Sequence, residues 1–141
     1  MVLSCTFVLV EVVADTSIFL AVAMNEPEKG SLLKITRGIE LVAPEILHYE
    51  TGNALTAMMN KGRLNAEEMV YVFSQVIQIP VDLRGINIQE ALSLAARHNI
   101  YAYDAYFLEC ASRIRRPLLT LDHGMKNIAK KMGITLMENI K

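Results

Sequence analysis

Asp15 in VVADTSIFL, Glu50 in HYETGNAL, Asp104 in YAYDAYFLECA and Asp122 in LLTLD are the side chains of this sequence best placed to do chemistry. Three follow or adjoin short apolar runs that read as strands or helix starts, and Glu50 sits on the apolar face of a helix. Four carboxylates gathered in one pocket cannot all stay ionised without a cation. Carboxylate and water ligands suit Mg²⁺ or Mn²⁺ rather than zinc, and His48, His98 and His123 have no shared spacing for a zinc site. A divalent cation on such acids suits phosphodiester hydrolysis, because it makes a nucleophile of water and offsets charge on the phosphate.

The spacing argues that the acids meet. Asp104 precedes Phe107 and Leu108 by three and four residues, so it shares their inward helix face. Glu50 follows Ile46 and Leu47 by four and three residues and precedes Ala54 by four. Asn53 is expected on that face as well, where it orients Glu50 or a water. Thr120 is two residues before Asp122, so period-two geometry points both the same way along a strand. Thr16 and Ser17 supply hydroxyls beside Asp15. Singly, each residue has a plainer explanation: an N-cap for the aspartates, a snorkelling side chain for Glu50, satisfied core polars for Asn53 and Thr120. Their joint fall at one sheet edge favours a common pocket.

The elements that must position them alternate. FVLVEVVA (7–14) reads as a central strand buried on both faces. Asp15-Thr16-Ser17 caps a helix over 18–24, Pro27 opens a second that Gly38 closes, and 39–42 is a short strand. Pro44 opens a helix to about Lys61, and Asn65 with Glu68 forms a capping box for the next, to about Gln78. A third strand is predicted at 79–82, helices at 88–97 and 103–115, a strand at 117–121, a helix at 125–132 and a last strand at 134–137. Strands alternating with helices imply an α/β fold with a parallel sheet covered on both faces.

The length of 141 residues suggests one domain, 1–141, able to bury its own core. Apolar residues make up 52% and charged residues 21%, a globular composition. The net charge of −1 excludes a global basic field, so a nucleic-acid partner must be met by local patches. Candidates are Lys29, Lys34, Arg37 and the Arg113, Arg115, Arg116 cluster, each also explicable as a solvated face. Tyr101, Tyr103 and Tyr106 flank Asp104, where they either stack on bases or pack. Met58, Met59 and Met69 suit core packing or a pliable protein contact. Residues 6–24 are strongly apolar, but no Lys or Arg precedes them and Glu11 and Asp15 interrupt them, so neither signal peptide nor membrane span is expected. Cys5 and Cys110 form no disulfide framework, which points to the cytoplasm.

Together VVADTSIFL, APEILHYETGNAL, YAYDAYFLECA and LLTLDHGMKNIAKKMGI resemble the PIN-domain ribonucleases, especially the VapC-like toxins of toxin–antitoxin pairs. The resemblance runs from about Val12 to Met137. It implies a three-layer α/β/α sandwich with a central parallel sheet of about five strands. It implies an acidic quartet at Asp15, Glu50, Asp104 and Asp122, a supporting hydroxyl at Thr120, a small polar residue at Thr16 or Ser17, and an Asn at Asn53. It further implies Mg²⁺- or Mn²⁺-dependent cleavage of RNA, a homodimer and a cognate antitoxin. Residues 1 to about 8 extend beyond the usual start, and His-Gly-Met follows Asp122 where a basic residue is common. The rival readings are a nuclease of RNA maturation or quality control and a silent binding scaffold of the same fold. A receiver-like module ranks low, since no acid pair follows the first strand.

Overall fold

The computed structural model describes residues 9–138. Strand β1 (Val10–Ala14) is the hub of a parallel sheet in which β2 (Ile39–Pro44) and β3 (Asp82–Arg84) lie on one side and β4 (Leu118–Leu119) on the other. Val12, Val13 and Ala14 are buried, as a central strand covered on both faces requires. Of the predicted 7–14 strand, residues 7 and 8 lie outside the described part, as do Cys5 and the rest of the N-terminal extension.

Helices α1 (Thr16–Ala23), α2 (Lys29–Ile35), α3 (Leu47–Asn60) and α4 (Ala66–Val76) pack on one another. Helix α5 (Ile88–His98) packs along α6 (Ala102–Ile114), α6 lies against β1 and β2, and α7 (His123–Lys131) packs on α6. Right-handed crossovers to β2 and β3 on one side, and back to β4 on the other, put these two groups on opposite faces. The three-layer α/β/α fold is the expected one. Helix α1 buries Ile18, Phe19, Leu20 and Ala21 in succession, so it is an internal helix rather than an amphipathic one. That explains the membrane-like hydropathy of this stretch. No helix among the described residues is long and apolar enough to cross a membrane.

Several boundaries differ from the sequence reading: the strand expected at 117–121 narrows to Leu118–Leu119, and α7 starts at His123 rather than at 125. The third strand runs over Asp82–Arg84, not 79–82, because Pro80 has no N–H to give the ladder. Pro44 ends β2 rather than opening α3, since the sheet continues through it, with Glu45 N donating to Arg84 O at 2.8 Å. The last strand reduces to one parallel bridge, Leu118 to Leu136, with Leu118 N donating to Thr135 O and Met137 N to Leu118 O, both at 2.9 Å. Four strands and an edge bridge therefore replace five strands. The capping box is as expected: Glu68 N donates to Asn65 Oδ1 at 2.8 Å and Asn65 N to Glu68 Oε1 at 3.2 Å.

Candidate active site

The chain leaves β1 toward β2 and β3 and returns on its other side as β4, so the crossovers diverge between β1 and β4. Open α/β sheets bind ligands at such a switch point, beyond the carboxyl ends of the strands. Asp15 directly follows β1, and Asp122 stands three residues past β4. A cavity of about 190 Å³ opens there, lined by Asp15, Thr16, Ser17, Leu20, Glu50, Ala54, Asp104, Phe107 and Asp122. All four acids thus reach one cavity, and none of its lining residues is basic.

Asp15 is 6% exposed and is the N-cap of α1. Its Oδ1 accepts Ser17 N at 3.1 Å and Ser17 Oγ at 2.5 Å, and its Oδ2 accepts the Thr120 hydroxyl. Ser17 Oγ accepts Leu121 N at 3.0 Å, and Thr120 Oγ1 accepts Asp122 N at 3.0 Å. Ser17 and Thr120 therefore brace the turn after β1 against the turn after β4. Asp122 caps α7, with Oδ1 accepting Met125 N at 2.8 Å. The plain capping explanation is thus true of Asp15 and Asp122, alongside their place in the cavity. It fails for Asp104, which is the third residue of α6 and caps nothing. At Gly124 a Cβ would stand 3.1 Å from Asp122 Oδ1, so glycine leaves that carboxylate its room.

Burial pushes the Asp15 carboxyl up to about 6, with the Ser17 and Thr120 donors pulling against it and the Asp122 charge adding to it. Asp104 is also raised, first by burial, then by the charges of Asp122 and Glu50. These repulsions link the four carboxylates electrically. Among the described residues, two buried side-chain oxygens have no hydrogen-bond partner, Glu50 Oε2 and Thr16 Oγ1. Buried polar atoms are rarely left so, and both line this cavity.

Among the described residues no three His, Cys, Asp or Glu side chains already form a cage for a metal ion. Asp15 has both oxygens engaged by neutral donors, which accounts for part of that. The donor set is nevertheless all oxygen, anionic, electrically strained and supplied with an orphan carboxylate atom. It fits a hard divalent cation.

Other expected residues lie elsewhere. Asn53 is exposed and does not line the cavity, because Ala54, one full turn past Glu50, takes the inward position. Lys34 and Arg37 are exposed and do not reach it either. Arg113 and Arg115 stand about 14 and 16 Å along α6 from Asp104. Arg113 is held by Glu109 at 2.6 Å, Arg115 is the left-handed C-cap of α6, and Arg116 pairs with Glu11 at 3.4 Å. Arg113 and Arg116 are thus each held by an acid, Arg115 is exposed, and none of the three lines the cavity. Leu20 and Phe107 complete the cavity wall; their apolar periodicity marked them only as core.

The PIN domain family model matches residues 12–131. The chain belongs to the PIN-domain family. PIN domains are typically nucleases that use divalent metal ions. Among solved structures, the chain is similar to PAE2754 from Pyrobaculum aerophilum, with 23% identity over 84% of each chain and a TM-score of 0.63. It is also similar to VapBC2 from Rickettsia felis, solved bound to a DNA fragment from its promoter, with 11% identity over 90% of this chain and 97% of that one and a TM-score of 0.61. No curated protein matches the sequence. Both likenesses establish the shared PIN fold.

Proposed function

We propose that the protein is an Mg²⁺- or Mn²⁺-dependent endoribonuclease, the toxin of a toxin–antitoxin pair acting in the cytoplasm. The observation that carries this reading is the set of four acids around a switch-point cavity with no basic residue in its wall. Asp15, Asp104 and Asp122 would hold the cation, with Glu50 as a further ligand. When bound, the cation would acidify water and stabilise charge on the scissile phosphate. Alternatively, Glu50, whose Oε2 is free of other partners, would orient the attacking water and take its proton. Ser17 and Thr120 fix Asp15 in place. Thr16 offers its hydroxyl to the phosphate or, in its absence, to a water on the cation.

The toxin assignment draws support from the likeness to VapBC2 and from a second feature. Between α3 and α4 an apolar groove of about 380 Å³ is lined by His48, Tyr49, Leu55, Met69, Val70 and Phe73, with His48 Nε2 buried and unpartnered. An antitoxin segment that is apolar and carries one polar atom for His48 suits it. Met69 is the only one of the three methionines in the groove lining, and both it and Met58 pack against the core.

Purified protein, stripped of partners, is expected to cut a mixed single-stranded RNA pool with Mg²⁺ or Mn²⁺. Cleavage is expected to vanish in EDTA and in Asp122→Asn. Cleavage that persists in either control would sink the assignment.

A further inference from the structure

We propose that Tyr101 is a base-stacking residue that makes the site prefer an unpaired nucleotide next to the bond it cuts. This rests on the ribonuclease reading and adds a specificity residue to it. The structure sorts the three tyrosines around Asp104. Tyr106 packs into the small core between α5 and α6, and Tyr103 meets it edge-on with ring centres 6.1 Å apart. Tyr101 is 86% exposed and touches neither core.

Folding gains little from a tyrosine left so bare. Its place is also odd for helix stability: it is the N-cap of α6 and makes no side-chain cap bond, where Ser, Thr, Asn or Asp would serve. The N-cap and the third helical residue are neighbours across one turn, as capping boxes demonstrate. Here the third residue is Asp104, a wall of the acidic cavity. Tyr101 therefore stands one helical turn from a residue of the cavity wall, without lining the cavity itself. Its one exposed aromatic neighbour on α6 is Tyr103, 38% exposed and turned edge-on to Tyr106, while Tyr49, Val70 and Tyr71 lie on α3–α4 and Leu83, Ile88 and Leu92 around β3–α5. A flat amphipathic ring, the barest of the three tyrosines near acids that would handle phosphate through a cation, suits the face of a base. Every base has such a face, but it is free only when the base is unpaired, so structure rather than sequence is selected.

The test measures binding of a short labelled single-stranded RNA by anisotropy with Mg²⁺, in an Asp122→Asn background so that the probe stays intact. Adding Tyr101→Ala is expected to weaken binding about 5- to 150-fold, while Tyr101→Phe changes it less than about twofold. The same RNA annealed to its complement is expected to bind alike with and without the ring. Equal affinity for the single strand with and without the ring overturns the proposal. So does an equal loss for the duplex, or a change confined to self-association. The ribonuclease reading is judged separately, by cleavage with the unaltered chain.

Discussion

Glu109 and Asp15 are almost equally buried, 4% and 6% exposed, yet they are neutralised in opposite ways. Glu109 has the Arg113 guanidinium at 2.6 Å, and Arg113 also donates to Gly85 O at 2.5 Å. Glu11, half-buried on β1, has Arg84 at 3.0 Å and Arg116 at 3.4 Å. Asp15 has only neutral donors, and its nearest charges are further acids. In one region the chain supplies its own cations; in the other it supplies none across four carboxylates. A buried charge without a counter-charge is costly, so this arrangement makes sense where the counter-charge comes from outside. The acids with arginines are satisfied within the fold, and the four at the cavity are the ones that the proposed cation would neutralise.

The largest expected effect separates these two roles. Asp104→Asn should lower cation-dependent RNA cleavage by more than about 100-fold, since even outer-shell partners of a metal site are worth 10–100-fold. It should leave the thermal midpoint in EDTA unchanged or higher, because it removes a carboxylate raised by burial and by Asp122 and Glu50. A midpoint that falls would place Asp104 among the structural acids.

The pH dependence sharpens the contrast at Asp15. Its folded carboxyl is raised to about 6 from 3.8, so the folded state holds the proton more tightly than the unfolded chain. Below about pH 4 both states are protonated and nothing is lost. Between about pH 4 and 6 the unfolded chain releases its proton first, and stability falls as pH rises; above about 6 the loss is complete. The shift corresponds to up to about 3 kcal/mol. Urea unfolding in EDTA at steps from pH 4 to 7 should therefore show Asp15→Asn gaining on the unaltered chain as pH rises. Parallel curves would mean that Asp15 carries no such burden.

Arg113→Met is the converse. It strands Glu109, buried at 4% exposure, and should cost about 1–3 kcal/mol of stability, with cleavage unchanged once folded. Equal stability, or cleavage lost with the fold intact, would reverse the assignment of this arginine.

How the two regions were legible in the sequence differs for a physical reason. The acid site could be read because each member obeys a local rule: Asp15 and Asp122 end apolar strands, and Asp104 and Glu50 keep the phase of their helices. Parallel-sheet topology then gathers strand ends without further information. Arg113 and Glu109 are a local pair on α6, but Arg84 and Arg116 could not be read, because their partner Glu11 is distant in the chain. Arg116 meets Glu11 across 105 residues, and nothing near either announces the pairing. Arg113, Arg115 and Arg116 looked like one basic surface partly because local sequence is blind to Glu11 and to the direction of α6. Asn53 failed on a finer scale. A three-residue step along α3 falls short of a full turn by enough to turn the side chain outward, while Ala54 comes round to the cavity.

The smallest expected effect compares two buried threonines. Thr51 donates to Leu47 O at 2.7 Å, so its hydroxyl is satisfied within α3. Thr16, 7% exposed, has no partner for its hydroxyl and faces the acids. Valine keeps the shape of threonine and removes the hydroxyl. At Thr51 the change removes a satisfied bond whose acceptor also serves the helix ladder, so the effect should be within about 1 kcal/mol in either direction and independent of cation. At Thr16 it removes an unpaired buried hydroxyl, so stability in EDTA should hold or rise by up to about 1 kcal/mol. The extra stabilisation on adding Mn²⁺ should shrink only for Thr16→Val. Thermal melts of both variants with and without Mn²⁺ decide it. An unaltered Mn²⁺ response in Thr16→Val would make its hydroxyl a bystander, and a lower midpoint in EDTA would give it a structural role, joining Thr51 on the other side of the comparison.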